Sequence, residues 1–367
     1  MYPSFIVEYG VAPHHLSKQV FVGIVKWLRE TRVEAKHTGR KLEADALKIV
    51  INRIYGALND AMDYLYDPEC TYTVTINLQL LLCGLIEAFE LNNFDVLSAN
   101  TDGLLVRLPL NRQGVFKHIC NEWSAYSKLD LETEKFEKYC RSAVNDYIAV
   151  GYGFYDALQE YNRCGVWIDS KSNTYTTRQA IEDKFIKFKG YFLQDPEYNK
   201  GFVYPVVKKA LKEYFLYGVD ITEFIRNYIN TSRTAIYDYC FSQKVAGKYT
   251  TIYKTVRDGK PVYIKCQKHN RFYICKSGGG AITKAIVPDS DNIAYGDDIS
   301  GIAVEEEKSL VADQRVALFN DYEYKEDYNL NYGFYINEAY KILYGNGKTG
   351  KGERRGINNN SNNLFGW

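Results

Sequence analysis

The sequence lacks the patterns that would staple a small domain or bind a structural metal. Its 367 residues include eight cysteines, with no Cys-x-x-Cys pair and no histidine at metal-ligand spacing. We therefore expect all eight to be reduced thiols. The chain also shows no apolar run near the roughly 20 residues that cross a bilayer, and no charged, apolar and small-residue leader. These absences predict a soluble, unexported, cytoplasmic protein with no membrane partner.

Net charge gives little information, because Lys and Arg number 46 and Asp and Glu 45. The charges are nevertheless segregated. Ten Lys and Arg but only one acid, Asp258, lie between Lys244 and Lys284, and an acidic stretch follows from Asp289 to Asp313. Aromatic residues alternate with the cations, which is typical of a surface that follows a phosphate backbone. A solvated charged hairpin explains the same composition, and the sequence leaves both alternatives open. It gives no reason for the 33 tyrosines.

A chain of this length that is 46% hydrophobic can form two or three cores. Apolar residues at helical spacing predict a helix that starts near Ser17 and ends at Thr38-Gly39. A second helix over 41–58 completes an antiparallel hairpin. A core helix is expected over 78–91. Further predicted elements are a β-hairpin of 96–99 with 104–107, strands at 143–150 and 184–192, helices at 206–216 and 222–232, and paired strands within 249–275.

Three short motifs follow one another along the chain. They read Met1-Tyr2-Pro3-Ser4, Lys48-x-x-x-Asn52-x-x-Tyr55-Gly56 and Asn100-Thr101-Asp102-Gly103. In order and spacing they resemble motifs A, B and C of family B DNA polymerases, and the resemblance is to phage-like members. Three later segments, Glu137-Lys138-Tyr139, Lys187–Gly190 and Pro205–Leu211, resemble further parts of that family, so the resemblance covers about residues 1 to 230.

The resemblance implies an α+β polymerase right-hand fold with an antiparallel-sheet palm, a helical-hairpin fingers domain and a mixed thumb. The divisions it implies are consecutive along the chain: a palm strand at 1–14, fingers at 15–58, palm at 59–192, thumb at 193–344 and a tail at 345–367. The tail is rich in Gly, Asn and Ser, and we expect it to be disordered.

The activity implied is nucleotidyl transfer from a dNTP to a primer 3′-hydroxyl on primer–template DNA, by a mechanism that uses two Mg²⁺ ions. Asp102 is the expected metal ligand and catalytic carboxylate. Asn100 and Lys48 are also expected to be catalytic, although family members usually carry a second aspartate at the position of Asn100. The remaining expected site residues contact substrates: Tyr2, Arg32, Lys36, Lys48, Asn52 and Tyr55 the dNTP, and Gly56, Thr101, Lys138 and Tyr139 the DNA.

The residue types and spacing of the fingers motif fit a triphosphate site. Lys48, Asn52 and Tyr55 share one helix face, as Arg32 and Lys36 do on the preceding helix. Folding of the hairpin would bring both faces together, with Arg giving bidentate contacts and Lys point charges. A solvated helix face explains Arg32 and Lys36 equally well. Lys48 stands within an apolar run, where a charge needs a partner.

The first motif in this family reads D-x-x-S-(L/M)-Y-P-S, which places its aspartate five residues before Tyr2 and before the first residue printed. We therefore expect this chain to be the C-terminal portion of a polymerase that is truncated within motif A. An N-terminal portion, with the rest of the polymerase and an exonuclease, would be encoded upstream. Its location would be the host cytoplasm if a phage encodes it. One alternative is an inactive or split-subunit fragment that binds primer–template DNA without catalysing synthesis alone. Another is a nucleic-acid-binding protein that uses the basic segment.

Two other motifs are predicted to be without function. Tyr295-Gly296-Asp297-Asp298 spells the metal-binding turn of RNA-dependent polymerases, but it lies in an acidic segment with no finger motif before it. Gly347-Lys348-Thr349 matches the end of a Walker A motif, yet the position five before Gly347 is Ile342 rather than glycine.

Overall fold

The computed structural model describes residues 1–101, 103–143, 145–190, 204–245, 247–311 and 314–344. The chain forms two compact units, Met1–Glu134 and the residues from Lys135 onward. Both contain helices and antiparallel strand pairs, which confirms the predicted α+β class. The boundary between the units falls inside the interval 59–192. The assignment of that interval to the palm therefore stays a prediction. The tail at 345–367 lies outside the described residues.

The first unit is mainly helical. Its elements are α1 (Tyr2–Tyr9), α2 (Lys18–His37), α3 (Lys41–Ala57), α4 (Pro68–Leu91), β1 (Val96–Ala99), β2 (Leu104–Val106) and α5 (Gln113–Ser127). The predicted helical hairpin and β-hairpin are therefore confirmed. Side chains from four of the helices meet in one core: Phe5, Phe21, Val25, Leu78, Phe89 and Trp123.

The strand expected within residues 1–14 is wrong, because Tyr2–Tyr9 is the helix α1. Pro3 occupies the first turn, where its missing N–H removes no hydrogen bond. Phe5 and Ile6 are buried in the unit's core, and Gly10 ends the helix in the left-handed conformation with φ of 61°. Local capping and tertiary burial together select the helix over the strand.

Helix α4 is long and apolar enough to cross a bilayer, by length and composition only. The sequence analysis found no such run, so this finding corrects it. One stripe of the helix, which includes Val74, Leu78 and Leu85, is buried in the core of the first unit. A core helix of a soluble protein passes the same test of length and hydropathy. The helix is therefore weak grounds for a membrane assignment.

The second unit combines helices with antiparallel sheets. Its elements are β3 (Phe136–Ala143), β4 (Asp146–Gly151), α6 (Phe154–Cys164), β5 (Trp167–Ile168), β6 (Thr174–Tyr175), α7 (Arg178–Phe185), β7 (Ile186–Lys189), α8 (Pro205–Tyr217), α9 (Ile221–Asn227), α10 (Ile236–Tyr239), β8 (Cys240–Lys244), β9 (Thr250–Arg257), β10 (Lys260–Cys266), β11 (His269–Cys275), β12 (Ala281–Ile286), β13 (Glu305–Ser309), β14 (Arg315–Leu318) and α11 (Tyr332–Tyr344).

The larger sheets of this unit have the strand orders β3-β4-β7, β14-β11-β8 and β10-β9-β12-β13. The strand predicted at 143–150 is β4 together with the end of β3, and most of β3 was missed. Strands β9 and β10 form the predicted pair, joined at Asp258-Gly259 with φ angles of 49° and 75°. The segment predicted as one pair also contains β11, which belongs to the neighbouring sheet. All eight cysteines are free, as expected.

The structure explains part of the tyrosine content of the second unit. Several phenol hydroxyls reach from a packed ring to a backbone carbonyl elsewhere in the unit. Tyr239 donates to Ile225 O, Tyr253 to Val316 O at 3.0 Å, and Tyr335 to Tyr239 O at 2.8 Å. A tyrosine can fill apolar space and satisfy a buried acceptor at once. These residues therefore tie elements together through the core.

Tyr335→Phe is expected to lower the free energy of unfolding of this unit by about 1 to 3 kcal/mol. The Tyr335 hydroxyl is fully buried, and it also accepts from Ile274 N at 2.9 Å. Phenylalanine keeps the ring but leaves that N–H without its acceptor. Chemical denaturation would measure the loss, with Tyr152→Phe as the control because that side chain is 65% exposed. Equal stability of the two variants would contradict the assignment.

Candidate active site

The turn between α2 and α3 sets the geometry of the helical hairpin that they form. Gly39 has φ of 75°, a conformation that favours glycine. Arg40 N donates to Ala35 O at 2.9 Å, and the Arg40 guanidinium bridges Glu34 at 3.1 Å and Glu43 at 2.8 Å. One residue thus binds both helices beside the turn. This fixes the antiparallel arrangement on which the candidate triphosphate site depends.

Arg32 and Lys48 lie at about the same level of this hairpin. The buried residues nearest the turn are Ala35 on α2 and Ala44 on α3. Arg32 lies three residues before Ala35, and Lys48 lies four residues after Ala44. At 1.5 Å per residue, each cation is therefore about 5 Å along its helix from the buried alanine. Lys36 lies one turn closer to Gly39. The predicted convergence of all three cations stays a prediction.

The surroundings of Lys48 differ from the expectation. The sequence analysis placed it in an apolar run where a charge needs a partner, but Ile49 is 71% exposed and Lys48 itself is exposed. Among the described residues neither Lys48 nor Lys36 makes an ion pair. Arg32 is half-buried, and its Nε is buried without a hydrogen-bond partner in the described part of the chain. The exposed ammonium groups of Lys36 and Lys48 are available to an anion.

The first and second motifs meet through their tyrosines. The rings of Tyr2 and Tyr55 stack with centroids 4.1 Å apart and planes 1° apart. Burial raises the pKa of Tyr55, and the neighbouring Tyr2 adds to the effect, against a hydrogen bond with Thr75. Asn52 lies one helical turn before Tyr55 on α3 and is exposed, as is Gly56. The start of α1 and the end of α3 therefore form one aromatic surface.

The third motif lies on the β1–β2 hairpin. Ala99 pairs with Leu104, and Asn100 N donates to Gly103 O at 3.0 Å, which closes the turn. A Cβ on Gly103 would lie 3.4 Å from Asn100 Oδ1, an ordinary van der Waals contact. Thr101 is exposed. Asp102, the expected metal ligand, lies outside the described residues.

All three motifs border the same core. Tyr2, Ile54 and Tyr55 pack against it from α1 and α3, while Val96 and Leu104 do so from the hairpin. Motif elements that lie far apart in the sequence are therefore held by one body of packed side chains. The core of the first unit thus positions them.

Lys138 and Tyr139 lie on opposite faces of the β3-β4-β7 sheet, because successive strand residues alternate. Lys138 pairs with Val150, which is buried. Tyr139 instead stacks on Tyr147, with centroids 5.0 Å apart. On that face Tyr147 is in register with Arg141 on β3 and with Lys189 on β7. Only Tyr139 of the predicted pair thus joins this aromatic and basic face.

The same face carries cations that the sequence analysis did not choose as site residues. Lys189 Nζ lies 5.9 Å from the ring centre of Tyr147, and Lys187 Nζ lies 5.9 Å from that of Phe136. Alternation of Lys187, Phe188 and Lys189 is the signal that could have found them, since it places both lysines on one face of a strand.

Gly190 permits a close approach at the end of this sheet. It has φ of 61°, and a Cβ there would lie 2.3 Å from Asn145 O and still closer to Asp146 Oδ1. Any side chain would displace the β3–β4 turn. The glycine of the Lys187–Gly190 segment is therefore required by packing as well as by backbone conformation.

The described residues give no function to the two motifs that were predicted to be without one. Asp297 Oδ2 accepts from Ala294 N at 3.0 Å, and Asp298 Oδ1 accepts from Ser300 N at 2.9 Å. Both carboxylates thus stabilise local turns, and Tyr295–Asp298 lies within the long connection from β12 to β13 rather than in a tight turn between these paired strands. Gly347-Lys348-Thr349 lies outside the described residues.

Comparison with solved structures gives a similarity of fold. No protein-family model matches the sequence. No curated protein matches it either. Among solved structures, the chain is similar to the family B DNA polymerase from the hyperthermophilic archaeon Pyrobaculum calidifontis, with a TM-score of 0.46 and 12% sequence identity over 94% of this chain and 44% of that one. The chain therefore spans less than half of that polymerase. A likeness of this size assigns no activity to the chain.

Proposed function

We propose that this chain is the palm, fingers and thumb portion of a phage-like family B DNA polymerase, and that it acts in template-directed DNA synthesis. The observation that carries the proposal is the stack of Tyr2 on Tyr55 at 4.1 Å. By resemblance to the family, Tyr2 lies under the incoming sugar and excludes a 2′-hydroxyl, while Tyr55 borders the nascent base pair. Two side chains that contact the sugar and the base pair of the same nucleotide must lie next to each other, as Tyr2 and Tyr55 do.

The fingers supply the electrostatic part of the proposed site. Arg32 and Lys48 lie at one level of the hairpin, and neither has an ion-pair partner within the described chain. A triphosphate needs several converging donors, and Arg and Lys provide them as a fork and a point charge. In the proposal these residues hold the triphosphate while Tyr2 and Tyr55 hold the nucleoside.

Two Mg²⁺ ions belong to the proposed reaction, but the described residues do not make up a two-ion site. No group of three His, Cys, Asp or Glu that could hold a metal occurs among them. Asp102 is not described, and Asn100 offers an amide oxygen where a carboxylate is usual. When bound, the ions would activate the primer hydroxyl and neutralise the triphosphate. The described residues of this chain bind and orient the substrates.

In the proposal, the face of β3, β4 and β7 that carries Tyr139 binds the primer–template DNA. Tyr139 and Tyr147 offer stacked rings, and Arg141, Lys187 and Lys189 offer positive charge. Rings and cations on a flat sheet suit a sugar–phosphate backbone. A fragment that binds DNA without catalysing synthesis would use the same surface, and for that reason it is the second candidate function.

The purified 367-residue chain is expected to bind primer–template DNA and to extend it barely or not at all. Binding follows from the sheet face. Extension should fail because the printed sequence supplies Asp102 but no residue at the aspartate position of the first motif, and a two-ion site needs carboxylates that bridge both ions. Fluorescence anisotropy with a labelled primer–template and gel-resolved extension would measure the two activities.

Tyr139→Ala and Tyr152→Ala form a matched pair for the binding assay. Loss of a stacking ring costs about 1 to 3 kcal/mol per base, so Tyr139→Ala should weaken binding by about 5- to 150-fold. Tyr152→Ala removes an exposed ring from the turn after β4 and should change little. Absence of DNA binding by the unaltered chain would refute the proposed function. Vigorous extension by that chain would refute the argument about the missing carboxylate.

A further inference from the structure

The acidic stretch of the sequence folds onto the basic segment. Strand β13, which carries Glu305, Glu306 and Glu307, pairs antiparallel with β12 of the basic segment. Every residue of β13 is exposed. The strand lies at the edge of the four-stranded sheet. The basic surface expected from composition is therefore partly neutralised by the chain's own carboxylates.

Glu306 is the centre of this neutralisation. Its Oε1 lies 2.9 Å from Lys248 Nζ, and its Oε2 accepts from the Tyr249 hydroxyl at 2.6 Å. The Tyr249 ring also lies beneath a second lysine, since Lys284 Nζ is 5.0 Å from the ring centre. Glu307 interacts separately, with Lys254 Nζ at 2.6 Å. The Glu306 carboxylate thus accepts from two donors, Lys248 and Tyr249, that lie just before β9.

A third lysine approaches the same group across the sheet. Lys308 on β13 is directly in register with Lys284 on β12. Like charges opposite each other destabilise a strand pair. Lys248 and Lys308 both act on Glu306, since the charges of these lysines help to hold the pKa of its carboxyl below the usual value, after the hydrogen bonds from Tyr249 and Lys248. Lys248, Lys308 and the Tyr249 hydroxyl therefore act on this carboxylate, and Lys284 lies beside them over the Tyr249 ring. Glu305 is a further nearby acid.

The backbone at Glu306 is strained. Its φ is 49°, in the left-handed region that a residue with a long side chain seldom adopts. The register places Ile286 opposite Glu305 and Lys284 opposite Lys308, so two residues of β13 face one of β12 in a bulge. Strain of this kind persists only where other interactions stabilise it, and it is concentrated at functional sites.

We propose that Lys248, Tyr249, Lys284 and Lys308 form a phosphate-binding site in which Glu306 takes the place of the phosphate, and that a phosphodiester of bound DNA displaces it. This deepens the proposed function and rests on it, because the ligand is the DNA that the polymerase would hold. A carboxylate and a phosphate accept hydrogen bonds from the same lysine and tyrosine donors. Release of Glu306 would also free the strained backbone of the edge strand.

The consequence is that the chain's own Glu306 blocks a contact with DNA. While Glu306 occupies the site, the lysines contribute little to DNA binding, because each phosphate contact must first break the pairs with Glu306. The site therefore opposes weak, nonspecific contact with phosphates. It opens when DNA is held elsewhere on the chain and a phosphate is presented at high local concentration.

Glu306→Gln tests the proposal in the full 367-residue chain. Glutamine keeps the shape of the side chain and removes its charge. We expect affinity for a labelled duplex oligonucleotide to rise about 3- to 10-fold near 0.1 M KCl, and the slope of log K against log[KCl] to steepen by about 0.9, the value for one added phosphate contact. Adding Lys284→Gln in the same chain should reverse both changes.

Glu326→Gln is the control, because it removes the same charge from an exposed position outside the sheet. It should leave the slope unchanged. An unchanged slope for Glu306→Gln, in a chain that binds DNA and keeps its melting temperature, would overturn the phosphate site and leave the proposed function standing. If no form of the chain binds DNA, both proposals fail. Inorganic phosphate at equal ionic strength should compete for the site and reduce the gain of Glu306→Gln, and a gain that phosphate leaves unchanged would overturn the phosphate-binding site.

Discussion

Replacing Lys48 with alanine is expected to lower kcat/KM for nucleotide incorporation by about 30- to 1000-fold, which corresponds to about 2 to 4 kcal/mol. The reason is the exposed ammonium on α3, at the level of Arg32 and without a partner in the described chain. An ammonium held for the triphosphate stabilises charge in the transition state. Arg32→Ala should have an effect of the same size.

The assay needs an enzyme form in which a D-x-x-S segment precedes Met1, so that the first motif is whole. Steady-state incorporation of one dNTP would give kcat/KM, and anisotropy would give DNA affinity on the same preparations. Lys41→Ala is the matched control, because it removes an exposed lysine from the first residue of α3. DNA affinity should stay near that of the unaltered enzyme for all three variants. If DNA affinity falls while nucleotide kinetics do not, these residues contact template.

The fingers hairpin was predictable because its signals are local. Ser17 precedes an apolar repeat, Gly39 follows it, and both helices begin and end within about a turn of the predicted positions. The buried face was harder to predict. Leu42 is 88% exposed although it belongs to the apolar repeat of α3. A two-helix hairpin buries only the stripe that faces its partners, and periodicity alone does not say which apolar residues those are.

The contacts that define the candidate sites were not predictable from local sequence. Tyr2 and Tyr55 stack although all of α2 and most of α1 and α3 separate them along the chain. Glu306 reaches Lys248 from the opposite end of the β-rich segment. Neither contact follows from propensity or periodicity, since each depends on which strands and helices pack together. The same dependence made α1 a helix where the resemblance to the first motif had implied a palm strand.

The charged segments show how far composition can be interpreted. The ten cations between Lys244 and Lys284 predicted either a phosphate-binding surface or a solvated hairpin. The structure shows neither in pure form, because β13 brings glutamates to Lys248 and Lys254. Composition identifies the charged residues, and strand pairing decides which of their charges are neutralised.

Asp102→Asn is expected to abolish synthesis in the enzyme form that carries the first-motif aspartate, with a loss of about 10³-fold or more in the single-turnover rate. An amide can coordinate Mg²⁺ weakly but does not supply the negative charge that two ions require. Asn100→Asp should be tolerated or mildly activating. It restores the residue usual at this position, and the backbone bond from Asn100 N to Gly103 O does not depend on the side chain that is replaced.

Single-turnover extension at saturating dNTP, repeated across a range of Mg²⁺ concentrations, separates these outcomes. Asn100→Asp should lower the Mg²⁺ concentration at half-maximal rate, because a second carboxylate strengthens ion binding. Asp297→Asn and Asp298→Asn are the controls, since both carboxylates serve local turns, and they should leave the rate and its Mg²⁺ dependence nearly unchanged. A near-normal rate for Asp102→Asn, in protein that melts like the parent enzyme, would show that the catalytic carboxylate lies elsewhere and that the β1–β2 hairpin is not the third motif.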